Sequence, residues 1–389
     1  MKSVGVITEY NPFHLGHAYQ LRQMKEQTQA DIIVVAMSGN VVQRGEFAIL
    51  DKWKRAEIAV QSGADLVIEL PLLASLQAAD YFAYFGIQAL SHFKVDIFAF
   101  GTETASTSQL QSYTEDVIEK EHLIDEAVPK LIAKGFSYAA ASHMATQQVM
   151  SASSTDFNPS SSNHILAKQY LLQNLKLKHP MQALAIPRLD RDSMGKDLLS
   201  GSQVRSDWFH NNLSKDKVPT LTYNALQQNP TIRWEDYWDL LRYAVLSKTP
   251  SELHDTLHVR EGIENRIIDQ IKQAENFHQL TDALTSKRWT TSSIQRILLA
   301  ILLNMNQSKW VRYAQAFEEA PFYRVLAFSQ QGQAYLRLLK QDNISFQTKL
   351  KHNQTQAYFG NLRADQIYAL NPRHNIREQN YQTLIHIKK

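Results

Sequence analysis

Residues 4–17 read Val4-Gly5-Val6-Ile7-Thr8-Glu9-Tyr10-Asn11-Pro12-Phe13-His14-Leu15-Gly16-His17. A short apolar run predicts a buried first strand, and the polar residues after it predict a turn into a first helix. Two histidines three apart, with a glycine between them, sit at that helix start. Helix N-termini present free N–H groups and a positive dipole end, so this junction suits an anion. The glycine admits close approach of a phosphate, and two imidazoles supply donors for charge building on phosphorus. The same pair also suits zinc, but no third ligand stands at a recognisable spacing, so no protein-held zinc site is expected.

Outward from this stretch, strand and helix patterns alternate. Strands are expected at 3–8, 31–37, 65–70, 95–100 and 183–187, with helices at 14–27, 51–62, 76–90 and 163–172 and from 200 to 209. This alternation predicts an α/β fold with a parallel, Rossmann-like sheet, whose ligands bind at the carboxyl ends of strands. Past residue 215 helical patterns dominate, at 234–247, 263–277, 291–305 and 332–339, and strand signals are short. Two domains follow: a nucleotide-handling catalytic domain over 1–214 and a mainly α-helical domain over 215–389, as a chain of 389 residues leads one to expect.

Composition narrows the function. With no cysteine, the chain has no disulfide, thiolate metal site or cysteine nucleophile. No apolar run approaches the ~18–20 residues of a membrane span, and the N-terminus lacks a signal-peptide core. A cytoplasmic location is the expectation. The net charge of +3 is unevenly spread: from Arg337 onward nine cationic residues face three anionic ones. A basic tail behind a slightly acidic catalytic half fits either an RNA partner or an ordinary solvated surface.

Further clusters lie in the loops after the strands. Met37-Ser38-Gly39-Asn40-Val41-Val42-Gln43-Arg44-Gly45-Glu46, followed by Asp51-Lys52, concentrates the donors Asn40, Gln43, Arg44 and Lys52. Such a set suits a carboxylate, phosphate or base. Phe100-Gly101-Thr102-Glu103 closes a strand, with Gly101 open to an adenine or ribose. Ser200-Gly201-Ser202-Gln203-Val204-Arg205 opens a helix as an anion nest, with Asn163 and Arg188 as further candidates.

His14-Leu15-Gly16-His17 and the segment Ser200–Arg205 resemble the two phosphate motifs of the nucleotidyltransferases marked by His-x-Gly-His. The blocks Glu9–His17 and Met37–Glu46, with Asp51-Lys52-Trp53, Ile68-Glu69-Leu70-Pro71 and Phe100-Gly101-Thr102-Glu103, are similar to the bacterial tRNA(Met) cytidine acetate ligase family. The resemblance implies an enzyme that joins ATP and acetate into acetyl-adenylate. It then acetylates N4 of the wobble cytidine of elongator tRNA(Met), with neither DNA nor a membrane as partner. It implies ATP contacts along Ile7, Thr8, Glu9, Tyr10, Asn11, Pro12, Phe13, His14, Leu15, Gly16, His17, Ala18, Tyr19 and Gln20, and at Gly101, Asn163, Arg188 and Ser202. It also implies catalytic roles for His14, His17 and Arg205, with Mg²⁺ on the pyrophosphate. Asn40, Gln43, Arg44 and Lys52 are left for acetate or RNA. The alternatives are an acetate ligase acting on a carrier protein, another adenylyltransferase, or a non-catalytic nucleotide- and RNA-binding protein.

Overall fold

The computed structural model describes residues 1–151, 157–188, 198–350, 356–371 and 384–387. Its strands are β1 (Ser3–Thr8), β2 (Ile32–Ser38), β3 (Val41–Val42), β4 (Glu46–Phe47), β5 (Leu66–Leu70), β6 (Ile97–Thr102), β7 (Gln182–Pro187), β8 (Arg324–Ser329) and β9 (Ile385–Ile387). Seven of them form one sheet in the order β7-β6-β1-β2-β5-β8-β9, and β3–β4 is a separate small hairpin. β1, β2, β5, β6 and β7 are parallel, as the alternating pattern predicts.

Side-chain alternation explains why this sheet is central. Along β2, Ile32, Val34 and Ala36 enter one core while Ile33, Val35 and Met37 enter another on the opposite face. β2 is buried throughout. A strand covered on both faces reads as an unbroken apolar run, as this one does. From β1 the chain winds through β2 and β5 on one side and returns to β6 on the other. The strand order therefore reverses between β1 and β6, which is where such sheets open a crevice.

Helix α1 (Leu15–Thr28) follows β1, and α2 (Lys52–Gln61) begins at Asp51, whose carboxylate accepts from the backbone N–H groups of Trp53 and Lys54. The region after residue 215 is largely helical, but its strands rejoin the first half. β8 pairs antiparallel with β5, Leu66 opposite Phe328, and β9 pairs with β8. The expected boundary after residue 214 is therefore not a boundary of the sheet. β8 is short and buried at every position, so its apolar run carries no period to separate it from the neighbouring helices. The helical pattern over 263–277 resolves into two helices, because Asn276 caps a new one at Phe277–Leu284. One of the short strand signals past residue 215, at 356–359, instead leads into the helix Phe359–Tyr368.

Candidate active site

β1 hands over to α1 through Tyr10, held at φ 48°, and a cis Asn11–Pro12 peptide. His14 is the N-cap of α1, and its backbone N–H donates to Nδ1 of His17 at 3.2 Å. A backbone nitrogen can only donate, so Nδ1 of His17 accepts, and the neutral ring carries its proton on Nε2. The two rings stack with centroids 3.6 Å apart, and Tyr10 meets His17 edge-on at 4.7 Å. Gly16 leaves room for this stack: a Cβ there would lie 3.0 Å from Cε1 of His14, tight enough to press on the ring. Burial, then the Arg188 guanidinium, lowers His14 to about 4. Burial, His14 and Arg188 together hold His17 well below the usual histidine range. Both rings are neutral at physiological pH. Nδ1 of His14 and the Tyr10 hydroxyl are buried and have no hydrogen-bond partner among the described residues.

These residues open into a cleft of about 670 Å³ over the carboxyl ends of β1, β6 and β7. From the first segment Ile7, Thr8, Glu9, Tyr10, Asn11, His14, Gly16, His17, Tyr19 and Gln20 line it, joined by Gly101, Asn163, Arg188, Ser202 and Arg205. Pro12, Phe13, Leu15 and Ala18 do not line it. Phe13 is fully buried, and its carbonyl accepts from the Thr222 hydroxyl at 2.8 Å, so it anchors the turn from behind. Around Gly101 the space is open enough for a flat ring to rest on the backbone, with Phe82, Phe100, Leu166 and Tyr170 giving an apolar wall.

Polar side chains fix the remaining walls. Glu103 accepts from Ser161 at 2.7 Å and from Asn163 at 2.5 Å. Burial works against its charge, but these hydrogen bonds outweigh it and keep its carboxyl below the usual range. Arg188 donates to Oδ1 of Asn163 at 3.3 Å, extending this hydrogen-bonded chain into the cleft wall. Ser200 caps the helix Gly201–Phe209, and Gly201 brings its first turn against the Asn11 carbonyl, 3.0 Å from where a Cβ would stand. Arg205 donates to that carbonyl and to Glu46, each at 2.7 Å. Burial raises the Glu46 carboxyl, with Arg205 opposing the rise.

The four loop donors divide. Gln43 and Arg44 line the cleft, whereas Asn40 and Lys52 do not. Lys52 is completely buried, with its ammonium 2.9 Å from Glu69, 2.6 Å from Asp365 and 2.8 Å from the Tyr358 hydroxyl. Asn40 donates to Asp365 at 2.8 Å and accepts from the Lys52 backbone at 2.7 Å. The expectation that Lys52 and Asn40 face acetate or RNA is thus corrected: their partners are carboxylates within the fold. Asp365 and Tyr358 lie some three hundred residues along the chain, outside any local pattern.

Sequence reasoning also missed Glu46 as a partner of Arg205, and Arg55. The buried Arg55 guanidinium donates to the carbonyls of Glu9, Ser38, Gly39 and Leu50, tying together the loops after β1 and β2. Its position on the buried face of α2 is the sequence signal. Of the basic tail, Lys351, Arg373, Arg377, Lys388 and Lys389 lie outside the described residues. Among the described residues no group of three or more His, Asp or Glu is gathered as a metal cage, and no helix is long and apolar enough to cross a membrane.

The model of the HIGH nucleotidyl transferase family matches residues 1–383. A tRNA(Met) cytidine acetate ligase from Staphylococcus haemolyticus is 34% identical over 380 residues, covering 95% of each chain. The chain belongs to the tRNA(Met) cytidine acetate ligase family. Another member, from Bacillus subtilis, is 31% identical over 385 residues, covering 95% of this chain and 92% of its own. The fold is shared with the crystal structure of Thermotoga maritima TmcAL bound with alpha-thio ATP, at a TM-score of 0.85 and 24% identity over the whole of both chains. The two segments that carry the sequence resemblance meet at one cleft: His14 and His17 from the start of α1, and Arg205 from Gly201–Phe209.

Proposed function

We propose that this cleft activates acetate with ATP and passes the acetyl group to N4 of the wobble cytidine of elongator tRNA(Met). The observation that carries the reading is the neutral, stacked His14–His17 pair at the start of α1, in the same cleft as Arg188 and Arg205. In the first step an acetate oxygen attacks the α-phosphorus of ATP. The bond to the bridging oxygen breaks, and pyrophosphate leaves with the electron pair. In the second step the N4 amine attacks the acetyl carbonyl carbon and gives up a proton, and AMP leaves.

Phosphoryl chemistry of this kind is governed by positioning and charge stabilisation. His17, protonated on Nε2, donates to the α-phosphate as negative charge grows there. His14, stacked on His17 and lining the same cleft, is suited to the same oxygens. Ser202, the helix N-terminus behind it and Arg205 hold the β- and γ-phosphates. Gly101 and the apolar wall take the adenosine, with Asn163 and Arg188 fixed beside it. The cleft carboxylates Glu9 and Glu46 already accept hydrogen bonds, from Gln43 N–H and Arg205. That donor set fits a Mg²⁺ carried mainly by the triphosphate, which Glu9 would help to hold because Glu46 is engaged by Arg205. When bound, the ion neutralises charge on the departing pyrophosphate. Gln43 and Arg44 remain the candidates for acetate or for the RNA.

The test is acetate-dependent exchange of pyrophosphate into ATP without tRNA. Exchange that needs acetate and disappears in His17→Ala supports the reading, and exchange independent of acetate refutes it.

A further inference from the structure

We propose that Lys248, Lys309, Arg312 and Arg363 form a docking surface for the phosphodiester backbone of the RNA acceptor. The inference rests on the RNA reading above and names the surface that reading needs.

The four cations come from three elements packed together independently. Lys309 and Arg312 are three apart on the helix Gln307–Glu319, and so share a face. Arg363 is on the helix Phe359–Tyr368, joined to the first by the Tyr313–Asn361 hydrogen bond at 2.9 Å. Lys248 precedes the helix Pro250–His254, and that segment is held against the start of Gln307–Glu319 by the Thr256–Asn306 bridge and the bond from Gln307 N–H to the Asp255 carbonyl. Among the described residues, none of the four has a carboxylate within ion-pair distance. The pairs that form lie elsewhere. Their neutral contacts are local: Lys309 to the Asn304 carbonyl, Arg312 to the Ser308 carbonyl, Lys248 to the Ala244 carbonyl, and Arg363 over the Phe359 ring. Glu252 is the acidic group whose field reaches Lys248, and its carboxylate is held by Thr249. Burial, then the fields of Arg363, Lys248 and Arg312, lower the Lys309 ammonium below its ordinary range. Like charges held together by three packed elements repel one another in the free protein, and a polyanion relieves that repulsion.

The patch also has the right address. Asn361 donates to the Leu70 carbonyl and accepts from Leu72 N–H, and Asp365 accepts from Asn40. The helix bearing Arg363 therefore covers the carboxyl ends of β2 and β5, on the same sheet edge as the cleft over β1, β6 and β7. The β3–β4 hairpin links the two, with Gln43, Arg44 and Glu46 in the cleft and Phe47 against Tyr368. The helix that bears Arg363 and the cleft thus lie at the same, carboxyl, end of the sheet. Backbone contacts of this kind position a nucleic acid without reading its sequence.

The experiment measures tRNA affinity across a range of salt for the full chain and for Lys309→Gln/Arg363→Gln, alongside acetate-dependent pyrophosphate exchange without tRNA. The double variant is expected to keep exchange, to bind tRNA at least about tenfold more weakly at low salt, and to show a shallower salt slope by roughly 1.5. Lys309→Arg/Arg363→Lys should restore both affinity and slope. If Lys309→Gln/Arg363→Gln loses exchange as well, Lys248→Gln/Arg312→Gln on the same surface provides the same comparison. Unchanged affinity and slope in a variant of an enzyme that does acetylate tRNA would overturn the docking surface alone. An unmodified chain that makes acetyl-adenylate yet neither binds nor acetylates tRNA would overturn the RNA reading and the surface with it.

Discussion

Glu46 Oε1 lies 2.7 Å from Arg205 Nη2, joining the β3–β4 hairpin to the helix Gly201–Phe209 across 159 residues of sequence. The same carboxylate accepts from the Asn11 side chain at 3.2 Å. Arg205 is therefore aimed before any nucleotide arrives: one arm of its guanidinium is on Glu46 and the other on the Asn11 carbonyl. Lysine cannot reproduce this fork. Arg205→Lys is expected to raise KM for ATP by about tenfold or more while the melting temperature stays nearly unchanged. Steady-state kinetics with varied ATP check this, and an unaltered KM would remove Arg205 from the triphosphate.

Gly16 is needed by a neighbour, not by its backbone. It is not among the positive-φ glycines, but a Cβ would stand 3.0 Å from Cε1 and 3.1 Å from Nδ1 of His14. Alanine also favours a helix over glycine by up to about 1 kcal/mol. Gly16→Ala should therefore hold or gain thermal stability while kcat for acetate-dependent exchange falls by about tenfold, as the His14 ring is pushed off its stack. A variant with full kcat would show that the stack does not matter.

Acid should weaken the ligand-free fold through the same pair. His14 ordinarily titrates at 6.5 and is lowered to about 4 in the fold, and His17 is lowered too. Between those values the unfolded chain binds more protons than the folded one, so stability falls as pH drops from about 7 toward 4. For His14 alone the full effect is about 3 kcal/mol. Replacing His14 with Asn should flatten the dependence of unfolding free energy on pH in this window, as urea titrations at pH 7 and pH 5 will show. Equal slopes would mean that the ring is not buried neutral.

The first sheet half was legible because its strands are covered on both faces and its turns are marked by Gly, Pro, Ser and Asn. Much of the cleft lining was legible for a related reason: Glu9, Tyr10, Asn11, His14, Gly16, His17, Gly101, Asn163, Arg188, Ser202 and Arg205 all lie at strand ends or helix starts. Two things were not. β8 is a six-residue buried strand among helices, with no alternation to show it. The Lys52 environment depends on Asp365 and Tyr358, brought near by the tertiary fold, so a lysine beside a donor-rich loop reads as a ligand site although it is a buried tie.

That tie gives a contrasting prediction. Glu69, Asp365 and Lys52 are buried together, and Tyr358 and Asn361 donate to Glu69 at 2.6 and 2.8 Å. Removing the ammonium takes away the buried cation that both Glu69 and Asp365 contact. Lys52→Met is expected to cost about 3–5 kcal/mol of stability. The surviving folded fraction should keep its KM for acetate, measured at a temperature well below its transition. A raised acetate KM with unchanged stability would return Lys52 to the substrate site.

The most direct measurement of the central claim is nucleoside mass spectrometry of elongator tRNA(Met) after incubation with the protein, ATP, Mg²⁺ and isotopically labelled acetate. The account predicts labelled N4-acetylcytidine at the wobble position, formed only with ATP and lost in His17→Ala. Label found on a carrier protein but not on tRNA, or acetyl-adenylate that accumulates without any labelled cytidine, would contradict it.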